Sequence, residues 1–182
     1  MIVCTVLIAL AISTAGLTTS GPEGSVNGLR SLGYSLVPAA KKVLLTGREV
    51  AVDSRWGIEP HVDPGEVALR RLKEGALDLH NLRLEGTGPN RIVLRVVPGK
   101  IQTSPRLVSD EAYALKITPT RIEITGNDNP GLLHGVQSLL QLLRSKGGGA
   151  WSLPEADIED WPICPSALFT GIPSITRTVR KR

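Results

Sequence analysis

Residues 110–143 read DEAYALKITPTRIEITGNDNPGLLHGVQSLLQLL, and this stretch decides the fold. Residues 112–117 and 121–125 alternate apolar and polar side chains, with Thr118-Pro119-Thr120 between them, which predicts an antiparallel hairpin. Gly126-Asn127-Asp128-Asn129 closes the hairpin. Asn129-Pro130 then opens a helix over 130–144, because proline in a first helical turn needs no amide donor. Leu132, Leu133, Val136, Leu139, Leu140 and Leu143 give that helix a wide apolar face. Arg144 and Lys146 suit its negative end, and Gly147-Gly148-Gly149 stops it.

Working toward the N-terminus, residues 91–97 read as a strand closed by Pro98-Gly99, with Ile92, Leu94 and Val96 on one face. Asp63-Pro64-Gly65-Glu66 is a helix start: Asp63 can cap, and Glu66 stands three residues later. Leu69, Leu72, Ala76 and Leu79 follow at helical spacing over 66–80, and Gly75 weakens this helix unless packing needs it. Residues 43–45 and 50–52 read as short strands, and 153–158 as one more extended segment. Strands combined with two amphipathic helices indicate an α+β fold, a mixed β-sheet with both helices on one face.

Composition is that of a globular chain, 41% hydrophobic and 21% charged. The net charge of +4 comes from Arg177, Arg180, Lys181 and Arg182 at the end; the body is neutral without them. With three Trp, two Tyr and one Phe, stacking platforms are few, so no nucleic-acid partner is expected. Residues 2–12 are apolar but too short to span a bilayer as a helix, which takes ~20 residues. With Ser13-Thr14-Ala15-Gly16 behind it, this run suits a secretory signal over 1–16 and a secreted or periplasmic protein, the alternative being a buried N-terminal strand. Cys4 would leave with the signal and Cys164 would stand alone, so no disulfide framework is expected. The Gly, Ser and Thr content of 17–34 reads as a linker, followed by one domain over 35–160 and a lead-out over 161–182.

Several landmarks then fall in order. Leu36-Val37-Pro38 precedes Lys41-Lys42-Val43, and Glu111-Ala112-Tyr113-Ala114-Leu115 opens the hairpin. Ile122-Glu123-Ile124 leads to Gly131-Leu132-Leu133-His134-Gly135-Val136-Gln137-Ser138-Leu139, and Ile158-Glu159-Asp160-Trp161-Pro162 follows. Together these resemble the small N-terminal domain, of zincin-like fold, that precedes the catalytic barrel in family-20 glycoside hydrolases, the β-N-acetylhexosaminidases. The resemblance implies close helix packing at Gly131 and Gly135, with Gln137 and 139–141 at the core-facing end of the helix. It also implies a parent activity that releases terminal N-acetylhexosamine from glycans or chitin oligosaccharides. In that family an Arg-Gly step after the proline opens the barrel; here Ala167 stands where the arginine is expected.

A barrel of that type takes ~250 residues, and 39 residues follow Leu143. The expectation is a non-catalytic domain, a fragment or a chain with a divergent tail. A separate catalytic barrel would be its partner, and glycan would be reached only through the parent enzyme. Without that barrel, residues 151–169 are expected to be poorly packed.

Candidate chemistry is sparse. The family's aspartate–glutamate pair, which serves substrate-assisted hydrolysis, belongs to a histidine-x-glycine-glycine-aspartate-glutamate context. Asp110-Glu111 instead opens a strand and is read as a solvated pair. His61, His80 and His134 have no metal-ligand spacing, and Cys164 has no base in its motif, so no catalytic residue, metal or cofactor is assigned. Gly131-x-x-x-Gly135 is read as helix-on-sheet packing rather than membrane dimerisation, and no membrane span is expected. Trp56, Trp151 and Trp161 are read as core or interface anchors before sugar-stacking rings. Two other readings stand beside the leading one: a free-standing carbohydrate-binding or interaction module, and the front domain of another glycosidase such as an α-glucuronidase.

Overall fold

The computed structural model describes residues 26–104 and 107–161; the signal-like run, both cysteines, Ala167 and the basic tail lie outside them. In chain order the elements are α1 (Val26–Ser31), β1 (Lys42–Val52), β2 (Gly57–His61), α2 (Val67–His80), β3 (Arg91–Val96), β4 (Gln102–Ser104), β5 (Leu107–Val108), β6 (Tyr113–Ile117), β7 (Arg121–Gly126), α3 (Asn129–Leu142), β8 (Arg144–Gly147) and β9 (Ala150–Asp160). The main sheet runs β1-β9-β6-β7-β3-β2, with β8 also paired to β9. β2, β3 and β7 are parallel, while β6, β9 and β1 add antiparallel. The sheet is therefore mixed, as expected for an α+β domain.

The expected hairpin forms in register, Leu115 opposite Ile124 and Ile117 opposite Ile122. Its inward residues, with Ile92, Leu94, Leu153 and Ile158, meet Leu69, Leu72 and Ala76 of α2 and Leu132, Val136, Leu139 and Leu140 of α3 in one core. Both long helices thus cover one face of the sheet. They also touch each other: a Cβ on Gly75 would stand 2.5 Å from Leu140 Cδ1, so the helix-weakening glycine serves packing. Gly135 brings α3 onto the hairpin in the same way, its position facing Ile124 and the Tyr113 ring.

Several boundaries differ from the sequence reading. The stretch expected as linker contains α1, whose Leu29 is buried in the core, as is Tyr34 just after it. Glu66, not Asp63, caps α2: its side chain accepts from the Ala68 amide while Asp63 accepts the Glu66 amide through its backbone carbonyl. Leu79 is exposed. The helix ends in a left-handed Asn81, and the Leu82 amide returns to the Ala76 carbonyl, so Leu82 enters the core in its place. Asp128 caps α3 by accepting from the Asn129 amide, and no basic residue lies in its last turn. Arg144 and Lys146 instead belong to β8, and the glycines after them, all at positive φ, turn the chain into β9.

β9 is the largest correction. Trp151, Leu153, Ala156 and Ile158 are buried in this long strand inside the sheet, so 151–160 is well packed rather than loose, while the 162–169 part of that expectation lies outside the described residues.

Candidate functional site

The register places the start of β6 and the ends of β7, β3 and β9 at one end of the sheet. Tyr113 stands opposite both Gly126 and Asp160, and the Val97 amide donates to the Gly126 carbonyl. Strand β9 runs out there into Trp161. A surface cleft of about 510 Å3 opens at this end between the residues before β1, the start of β6, one side of α3 and Trp161.

Its floor is Tyr113 and Ser138, whose hydroxyls share a buried 2.6 Å hydrogen bond. Burial pushes the Tyr113 phenol up to about 12, against the Ser138 bond that favours ionisation. Asp160 lies beside Tyr113, half-buried, on the same face as Ile158 and Ala156. Burial raises its carboxyl above the usual range, against the backbone amides of Trp161 and Lys41 and the charges of Lys41 and His134. Lys41 Nζ donates to the Trp161 carbonyl at 2.5 Å and sits 4.8 Å from the centre of the indole, which ties the exit of β9 to the approach to β1. Gln141 accepts from the Val37 amide at 2.9 Å, pinning the cis Val37–Pro38 segment to α3.

The residues singled out from sequence scatter. Asp110 and Glu111 are exposed ahead of β6, and only Glu111 lines the cleft. His61 pairs with Glu59 at 2.8 Å on the far side of the sheet, and His80 Nε2 meets the Leu140 carbonyl at 3.0 Å. His134 lines the cleft. Gln137 and Gln141, expected toward the core, are exposed and line it too. Trp56 and Trp151 are buried; Trp161 is the tryptophan at the cleft. Among the described residues no group of three or more His, Cys, Asp or Glu is arranged to hold a metal ion. None of their helices is long and apolar enough to cross a membrane. Lys41 was visible only within the Lys41-Lys42-Val43 landmark, because its partner lies 120 positions away. Asp160 was visible only as part of the Asp160-x-Pro162 step.

Compared with curated protein sequences, the chain has no match. Among solved structures it is similar to a glycoside hydrolase family 20 β-N-acetylglucosaminidase at 32% identity and a TM-score of 0.53, over 70% of this chain and 22% of that one. The family-20 β-N-acetylhexosaminidase of Streptomyces coelicolor A3(2) matches at 27% identity and a TM-score of 0.53, over 69% of this chain and 26% of that one. The family-20 exo-β-N-acetylglucosaminidase of Vibrio harveyi shares the fold at 23% identity and a TM-score of 0.56, over 70% of this chain and 19% of its own. The chain therefore spans about a fifth to a quarter of the length of these enzymes. The model of glycosyl hydrolase family 20, domain 2, matches residues 33–161, the whole sheet with both long helices and the cleft, and the chain belongs to that family.

Proposed function

We propose that this domain is the non-catalytic support of a family-20 β-N-acetylhexosaminidase, and that the strand-end cleft is where the catalytic barrel docks. The parent activity would be removal of terminal N-acetylglucosamine or N-acetylgalactosamine from glycans or chitin fragments. The observation that carries the docking reading is the path of β9. It leaves the centre of the sheet at Asp160, and the next residue, Trp161, forms the cleft wall at the last position of the family match.

Exposed apolar side chains add to it. Val37 is 69% exposed at the cleft, while Val97 (39%) follows β3 and Val108 (56%) lies on the β4–β5 ribbon ahead of β6. Leu44 and Leu79 are exposed elsewhere on the domain, so the apolar side chain that bears on docking is Val37, in the cleft itself, where it suits a partner. The apolar run 2–12 supports secretion of the parent protein.

The test joins this chain after Trp161 to the catalytic domain of the Streptomyces coelicolor enzyme, in place of that enzyme's matching segment. Docking predicts a single cooperative thermal transition and release of p-nitrophenol from its N-acetylglucosaminide. Two independent transitions, the first at the temperature of the small domain alone, would refute the docking role.

A further inference from the structure

The charges lining the cleft do not balance. Two carboxylates, Asp160 at the end of β9 and Glu111 ahead of β6, line it, and Lys41 is the ammonium on its wall. Lys41 is already engaged, donating to the Trp161 carbonyl at 2.5 Å with its charge over the indole at 4.8 Å. The neighbouring Lys42 is paired with Glu159 at 2.7 Å. From α3 the cleft meets His134, Gln137, Ser138 and Gln141, and from β6 the Tyr113 hydroxyl, which is taken by Ser138. The donors on Asp160 itself are the backbone amides of Trp161 and Lys41. Lys41 and His134 act on this half-buried carboxylate through their charge, but among the described residues it is in no ion pair, and the cleft is wide enough for a side chain from outside.

We propose that the cleft receives an arginine side chain from the docked domain, with Asp160 as its counter-carboxylate; this rests on the docking reading above. Arginine fits better than lysine on three counts. A guanidinium is weakly hydrated and tolerates a half-buried site, and it donates in a planar fork that a carboxylate accepts with two oxygens. The amide oxygen of Gln137, on the same wall, can accept from the remaining donors. The route of β9 through Trp161 brings the following domain to this place. Asp160 thus acts as a positioning residue that fixes how the two domains meet.

The full 182-residue chain, isotopically labelled, is titrated with N-acetyl-arginine amide and, separately, with N-acetyl-citrulline amide, which keeps the shape and removes the charge. The expected result is saturable shifts at the Trp161 indole and His134 with the arginine probe, and binding at least several-fold weaker with the citrulline probe. Asp160→Asn should weaken arginine binding by a comparable factor, and Asp160→Glu should restore part of it. Melting of each variant separates recognition from folding. Asp160→Asn removes a desolvated charge, so the free chain should melt no lower than the parent at neutral pH. No saturable shift, equal binding of the two probes, or unchanged binding by Asp160→Asn would overturn the proposal. The two readings fail separately: cooperative melting of the fused protein without arginine recognition keeps docking and removes this contact.

Discussion

Gly131 at the start of α3 rests against the carbonyl oxygen of Ala112, just ahead of β6. A Cβ built on Gly131 would fall inside contact distance of that oxygen and 2.8 Å from the Asp110 carbonyl oxygen. Both obstacles are backbone, so no side-chain movement relieves them, and the helix sets the height at which the cleft's α3 wall stands over β6. Gly131→Ala should therefore cost about 2 kcal/mol despite alanine's better helix propensity, as overpacking does. The control is Gly65→Ala, where nothing lies within 4 Å and φ is ordinary. It should stay within about 0.5 kcal/mol of the parent. Urea denaturation of the two variants decides, and equal stabilities would refute the contact.

Asn127 is buried and holds the β4–β5 ribbon to the end of β7. Its Nδ2 donates to the Ile101 carbonyl at 2.8 Å and to the Ser109 carbonyl at 2.9 Å, while Oδ1 accepts from the Ile101 amide at 2.8 Å. Asn127→Ala strands buried backbone groups at Ile101, and about 2–3 kcal/mol of stability should be lost. The same change should raise hydrogen exchange at the Ile101 amide, which donates to Asn127, well above that in the β6–β7 hairpin. Unchanged protection at Ile101 would show that the ribbon is held by other contacts.

These two sites mark what was legible in the sequence. The hairpin, both long helices and the one-sided core followed from apolar spacing, because alternation and helical periodicity record which face is buried. The Gly131 and Gly135 pair was visible as close packing. Asn127 read only as turn chemistry, since nothing local says that its amide spans 26 positions to Ile101. The triple glycine after Lys146 stops a helix as readily as it turns a hairpin, and pairing with β9 chose the second. At the cleft, Lys41 and Trp161 are brought together by strand order, which no short motif encodes. Leu79 was misplaced because the left-handed turn at Asn81 shifts the core position to Leu82.

The cleft floor predicts an alkaline signature. Burial disfavours the Tyr113 phenolate and pushes the phenol from its ordinary 10.0 up to about 12 in the folded chain. A folded value above the unfolded one means that the protonated form is favoured by folding. Its contribution is whole below pH 10 and is lost as pH rises from 10 toward 12. The loss should approach about 2–3 kcal/mol across that window. Tyr113→Phe removes this part of the slope. Ser138→Ala, which leaves the buried hydroxyl without its partner, should cost about 1–2 kcal/mol at neutral pH. Urea midpoints measured from pH 9 to 11.5 test both, and identical slopes for the parent and Tyr113→Phe would refute the assignment.

The isolated chain should show no hexosaminidase activity. Hydrolysis assisted by a substrate acetamido group needs one carboxylic acid to protonate the leaving oxygen and a carboxylate to steady the acetamido group, both held in a water-poor pocket. Asp110 and Glu111 are both exposed in the turn ahead of β6, where the Glu111 amide donates to Ser109 Oγ at 3.3 Å. Nothing there excludes water or fixes the two side chains on one substrate. Asp160 is better enclosed, but it is the last residue of the exit strand β9 and stands opposite Tyr113, and the neighbouring Glu159 is paired with Lys42. Incubation with p-nitrophenyl N-acetylglucosaminide should release no p-nitrophenol above buffer. Changing Asp110 and Glu111 together to Ala should move the stability by no more than about 0.5 kcal/mol, as for other exposed positions. Release by the parent chain that disappears in this double variant would place the chemistry on the pair itself and refute the supporting role.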